Sequence, residues 1–130
     1  MPTFHASQVA AIEQDDVLVV SFGGEPVEGA IEYLTFQQSL DGYTDDDIAL
    51  GMDQPYVEYR DQGWGWYGHM TKVELARDRL VVAMDASAAA RLDGDAVFAV
   101  TFEIDDAAFD RLRAGLEKTF DACPYFAVRQ

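Results

Sequence analysis

"AVFAVTFEIDDAAFDRLRAGLEKTF", residues 96–120, changes its hydrophobic rhythm halfway along. Up to Ile104 the apolar residues alternate, setting Phe98, Val100, Phe102 and Ile104 on one side, the repeat of a half-buried strand. Beyond it, Phe109, Leu112, Leu116 and Phe120 recur at spacings of three and four, which is one stripe along a helix. Asp105 at the junction predicts an N-cap, and Asp106 suits the positive end of the helix dipole. Pro124 bars continuation beyond Cys123.

Outward from this stretch, strands dominate. "MTKVELA" (70–76) and "RLVVAMD" (79–85) predict a hairpin about Arg77-Asp78, although this is not the favoured Asn-Gly turn. "ASAAARL" (86–92) predicts a short helix, with Asp85 or Ser87 near its N-cap and Gly94 past its end. "DVLVVSF" (16–22) is a β-branched strand closed by Gly23-Gly24, and Phe4 to Ile12 is a weaker one. "IEYLTFQQS" (31–39) predicts a strand with Ile31, Tyr33 and Thr35 on one face and Leu34 and Phe36 on the other. "YVEYR" (56–60) is a further short strand. "GGEPVEG" (23–29) reads as a loop, and "LDGYTDDDIALGMDQP" (40–55) as an acidic loop with a short helical turn near Asp45–Leu50. The predicted class is α+β: a mostly antiparallel β-sheet, a C-terminal helix packed on one face, and one short additional helix.

At 130 residues the chain fits one domain, residues 1–130, with no repeat or linker dividing it. No apolar run approaches the roughly 20 residues that cross a bilayer, and the N-terminus lacks a signal-peptide pattern. Cys123 is the single cysteine, so no internal disulfide calls for an oxidising compartment, and a cytoplasmic protein is expected. Charge is more informative. The formal charge is −15, and the first Lys or Arg is Arg60. Twelve carboxylates precede Arg60, whereas from there onward twelve acids meet nine bases. A one-sided negative field repels nucleic acid and attracts cationic proteins. Acidity for solubility or for life at high salt would be the plainer reading, but it should coat both halves alike.

Chemistry has little to stand on. His5, His69 and Cys123 show no metal-ligand spacing, and the acidic stretch lacks the order of a calcium loop, leaving at most a loosely held cation near Asp45–Asp47. No serine sits in a nucleophile elbow, and Cys123 lacks a thiol-protease signature. "GWGWYG" has neither the Lys nor the following Ser or Thr of a phosphate loop. No catalytic residue, cofactor or metal is therefore assigned. Stacking of bases on Trp64, Trp66 and Tyr67 would need a cationic groove, which the nearby Asp61 and Asp53 oppose.

The segment "DQGWGWYGHM" (61–70) therefore has two remaining readings, core or protein interface. Tryptophans two apart share one side of a strand and could both be core, while Gly63, Gly65 and Gly68 favour an irregular, exposed segment. Exposed Trp and Tyr beside carboxylates match interface anchors with charges that steer. On that reading Asp45, Asp46, Asp47, Asp53 and Glu58 supply charge, and Trp64, Trp66 and Tyr67 supply anchors.

"YLTFQQSL" (33–40), "DDDIALGMDQPYVEY" (45–59), "WYGHMTKVELARDRLVVAM" (66–84) and "FEIDDAAFDRLRAGLEKTF" (102–120) resemble, in that order, the immunity protein 10 family of bacterial polymorphic-toxin systems. The most specific piece is "DIALGMD-x-x-Y-x-E" with the following "YG" and "KV-x-L". The matched positions are Asp47, Gly51, Met52, Asp53, Tyr56, Glu58, Tyr67 and Gly68. The chain departs from the pattern at His69, where the family often has glycine, so the resemblance does not carry over the backbone shape there. The resemblance implies a protein that binds and neutralises a cognate toxin and has no chemistry of its own. A basic nuclease toxin would fit the charge. The alternatives are a small-ligand-binding protein or enzyme using the Gly/Trp/Tyr segment as a pocket wall, and a self-associating domain that is acidic only for solubility.

Overall fold

Strands with one apolar side cannot stand alone in water, and in this protein two sets of them close over a shared interior. The computed structural model describes residues 3–24, 33–39, 45, 55–59, 65–91, 96–121 and 123–129. The chain runs β1 (Thr3–Ala6), β2 (Gln8–Gln14), β3 (Val17–Gly23), β4 (Tyr33–Ser39), β5 (Tyr56–Tyr59), β6 (Gly65–Tyr67), β7 (Met70–Leu75) and β8 (Arg79–Met84). It continues through α1 (Ala86–Arg91), β9 (Val97–Phe102), α2 (Asp106–Thr119) and β10 (Phe126–Val128). Among the described residues, sheet A has the order β1-β9-β8-β7-β10 and sheet B the order β2-β3-β4-β5-β6.

The α+β class and the two predicted helices are present, with the strands divided between two sheets. The weak strand expected over Phe4–Ile12 is where the division begins. At Ser7, whose N–H donates to the Gly23 carbonyl at 2.8 Å, the chain leaves one sheet for the other. Before Ser7, β1 runs parallel to β9; after it, β2 runs antiparallel to β3. The β2–β3 turn is made by Asp15 and Asp16, both left-handed with φ of 52° and 61°. That pair of angles gives the twist-matched two-residue hairpin, and short polar Asp tolerates it. The β7–β8 hairpin forms about Arg77-Asp78 as predicted, with Leu75 opposite Leu80. β10, parallel to β7 beyond Pro124, was not expected from sequence.

The interior is set by alternation. Leu18, Val20 and Phe22 of β3 are buried, as are Leu34 and Phe36 of β4 and Phe98, Val100 and Phe102 of β9. Sheet A covers part of the inner side of sheet B, with Tyr59 stacked on Phe98 at 4.1 Å and Phe22 against Phe102 at 5.9 Å. The rest is covered by α2, which lies across β2, β3 and β4. Asp105 accepts from the Ala108 N–H at 2.7 Å, the predicted cap, and Leu112, Leu116 and Phe120 are buried in the predicted stripe. Gly115 allows the close approach: a Cβ there would lie 2.9 Å from Ala11 Cβ and 3.2 Å from Val20 Cγ2. At α1 the choice falls on Asp85, whose Oδ1 accepts from the Ala88 N–H at 3.0 Å.

Candidate partner-binding face

Because side chains alternate across a strand, the registers of sheet B also fix what its outer side presents. One row runs Ile12, Val19, Gln37, Tyr56, Tyr67, and the next runs Ala10, Ser21, Thr35, Glu58, Gly65. The flanking positions are Gln8, Gly23 and Tyr33 on one side and Gln14, Val17 and Ser39 on the other. Of these sixteen positions only Glu58 is a charged residue type, in a chain that is 25% charged. Ile12 and Tyr67, two of the largest exposed apolar side chains, lie here at 54% and 43% exposure. Sheet A's outer side is different. Lys72 and Arg129 both pair with Glu74, at 3.1 and 2.9 Å, and Arg79 is exposed nearby. That is an ordinary solvated surface, whereas depletion of charge with enrichment of tyrosine marks the centre of an interface.

The aromatic corner of this face is ordered by strand pairing. Tyr56 stands opposite Tyr67, their ring centroids 5.1 Å apart and their planes 53° from parallel. The Tyr56 hydroxyl donates to Glu58 Oε1 at 3.2 Å. Partial burial, with the Glu58 carboxylate and the neighbouring tyrosines adding to it, pushes the Tyr56 phenol up to about 12. Gly65 makes the arrangement possible, since a Cβ on it would fall 2.2 Å from the Tyr56 hydroxyl oxygen.

The predicted anchors separate here. Tyr67 is exposed, but Trp66 is 8% exposed and belongs to the core, opposite the fully buried Val57. The expectation that Trp66 grips a partner is corrected: Gly65–Tyr67 is a regular edge strand, and period two turns Trp66 inwards whenever Tyr67 points out. Glu58 lies on the outer face beside Tyr67, and Asp45 is exposed. Asp46, Asp47, Asp53 and Trp64 lie outside the described residues, as does most of the predicted turn at Asp45–Leu50. The segment carrying those aspartates joins β4 to β5 between Ser39 and Pro55; the Pro55 carbonyl accepts from the Gly68 N–H at 2.9 Å. Tyr33 was not read as a site residue, and Tyr56 entered only through the family resemblance. The alternation in "YVEY" and "YLTF" was the available signal, since it puts Tyr56 with Glu58 and Tyr33 with Thr35.

Gly68 and His69 carry the chain from sheet B into sheet A with φ of 77° and 64°. His69 thus adopts the left-handed shape that glycine favours. It is held from two sides. The His69 carbonyl accepts from the Asp85 N–H at 2.8 Å, and its Nδ1 lies 2.8 Å from Asp85 Oδ2. The Ala88 N–H and then His69 hold the Asp85 carboxyl below the usual carboxylate range. His5 is engaged by Thr101 at 2.9 Å. Among the described residues no three His, Cys, Asp or Glu side chains gather into a group that could hold a metal ion. No helix among them is long and apolar enough to cross a membrane.

Comparison with curated proteins and with solved structures finds no match. The family model described as Immunity protein 10 matches residues 5–110, from β1 into the second turn of α2. That span takes in both sheet switches, the tyrosine corner and Glu58, so the chain belongs to the immunity protein 10 family.

Proposed function

We propose that the protein neutralises a cognate toxin by laying the outer face of sheet B against it, in the cytoplasm and without catalysis of its own. Beyond the family, one observation carries this reading: a nearly charge-free, tyrosine-bearing sheet face on a chain of net charge −15. Water gains little from solvating such a face, and a partner gains apolar contact with rigid rings. Three strands about 23 Å long and two of about 10–13 Å, about 4.8 Å apart, present roughly 450 Å². A stable complex takes about 800 Å² from each partner, so flanking segments must contribute. On this reading the acidic stretch with Asp45, Asp46, Asp47 and Asp53, which joins β4 to β5 in the sequence, does so. It would add long-range steering toward a basic surface, as the substrate groove of a nuclease would be.

The test pairs this chain with any toxin domain found in a gene next to its own, by growth rescue and by measured affinity. Tyr56→Ala with Tyr67→Ala should weaken binding by about 30-fold or more, as loss of interface tyrosines does. Arg79→Ala on the opposite sheet should leave it unchanged. A chain that neither rescues nor binds, or one whose affinity follows Arg79 instead, would sink the reading.

A further inference from the structure

Among the described residues, Glu58 and the α2 cap Asp105 have side-chain contacts but no basic partner. Glu13, Glu74, Asp106 and Glu117 each have a basic side chain within ion-pair distance, on Lys118, on Lys72 and Arg129, on Arg77 and on Arg113. Among the described residues, Glu58 meets only the Tyr56 hydroxyl, on one of its two oxygens. It is already half-buried in a neutral face, next to two tilted rings. If a partner covers that face, a carboxylate with no counter-charge among the described residues would be stranded at a cost that the Tyr56 hydrogen bond alone does not offset. A cation brought by the partner would offset that cost.

We propose that Glu58, Tyr56 and Tyr67 form a seat for a guanidinium, an arginine side chain of the partner; this rests on the toxin-binding reading above. The seat is built from below. Gly65 has no side chain, so the Tyr56 ring can lie over it and its hydroxyl can reach Glu58. That hydrogen bond fixes the carboxylate and leaves its second oxygen to accept from a cation. The Tyr56–Tyr67 pair offers ring faces beside it, 5.1 Å between centroids. A planar, weakly hydrated guanidinium can stack on a ring and donate to a carboxylate at once, whereas a compact ammonium gives up more hydration and stacks less well.

The full chain is titrated with N-acetyl-arginine methylamide at physiological salt and followed by NMR at the Tyr56 and Tyr67 ring protons and the Glu58 carboxyl carbon. The expected result is a saturable shift at these three residues, about tenfold weaker binding in Glu58→Gln, and no saturable shift with the neutral citrulline analogue. Weaker binding of the lysine analogue supports the guanidinium in particular. The proposal is overturned by an undiminished response in Glu58→Gln, by equal binding of lysine or citrulline, or by shifts spread over the acidic surface generally. Concentration-dependent shifts of the same signals without any probe would also overturn it, since a second copy would then occupy the face. The probe acts on the chain alone. Its failure therefore leaves toxin neutralisation to the rescue experiment, and failure of rescue leaves the arginine seat to this one.

Discussion

Trp66 and Tyr67 are adjacent, similar in size, and opposite in role. The indole fills the space between the sheets while the phenol stands in solvent at 43% exposure. Trp66→Ala should destabilise the fold by about 3–5 kcal/mol through the cavity it leaves. Tyr67→Ala should cost under about 1 kcal/mol in the same denaturant titration. Equal losses would mean that the edge strand does not hold this register. Tyr56 gives a second test at this scale. Partial burial pushes its phenol from an ordinary 10 up to about 12, so the folded state holds the proton more tightly. The stability this supplies is complete below about pH 10 and is lost as pH rises towards 12. Absorbance at 295 nm should show a tyrosinate step near pH 12 that disappears in Tyr56→Phe, while the later step of the more deeply buried Tyr125 remains.

Among the elements, α2 shows how local preference and packing come apart. Mid-helix glycine is a poor choice by propensity, and replacing it with alanine in a free helix gains about 1 kcal/mol. Here the added methyl would meet Ala11 Cβ at 2.9 Å, a group on a strand that cannot swing aside. Gly115→Ala is therefore expected to lower the melting temperature, because overpacking costs about 1–3 kcal/mol. A rise would show that α2 sits further from sheet B. The cap was legible and the close approach was not: Asp105 announces itself by position, while Gly115 has meaning only beside Ala11 and Val20. The same holds at the sheet switches. Ser7 carries no break signal, and His69 occupies a left-handed position that its residue type does not announce. Asp85 helps hold that corner, accepting from Ala88 with its nearer oxygen and facing His69 with the other.

For the whole molecule, the negative field is the feature a partner meets first. Reversing Asp46 and Asp47 to lysine changes the net charge from −15 by four. Association with a basic toxin should slow by about tenfold or more at low salt. The difference should vanish near 1 M salt, where charges are screened within about 3 Å. On-rates that ignore both the substitutions and the salt would remove steering from the account. The amino-acid sequence by itself determined the α+β class, the capped C-terminal helix, the β7–β8 hairpin and the charge asymmetry, because each follows from periodicity, capping or composition within a short window. Only the tertiary structure decided that the strands form two sheets, that Trp66 lies inside, and that Tyr33, Tyr56, Glu58 and Tyr67 share one neutral face. Those outcomes depend on which strands pair and in what register. Pairing is a contact between distant residues that no local pattern specifies, and a shift of one position would turn every side chain to the other side.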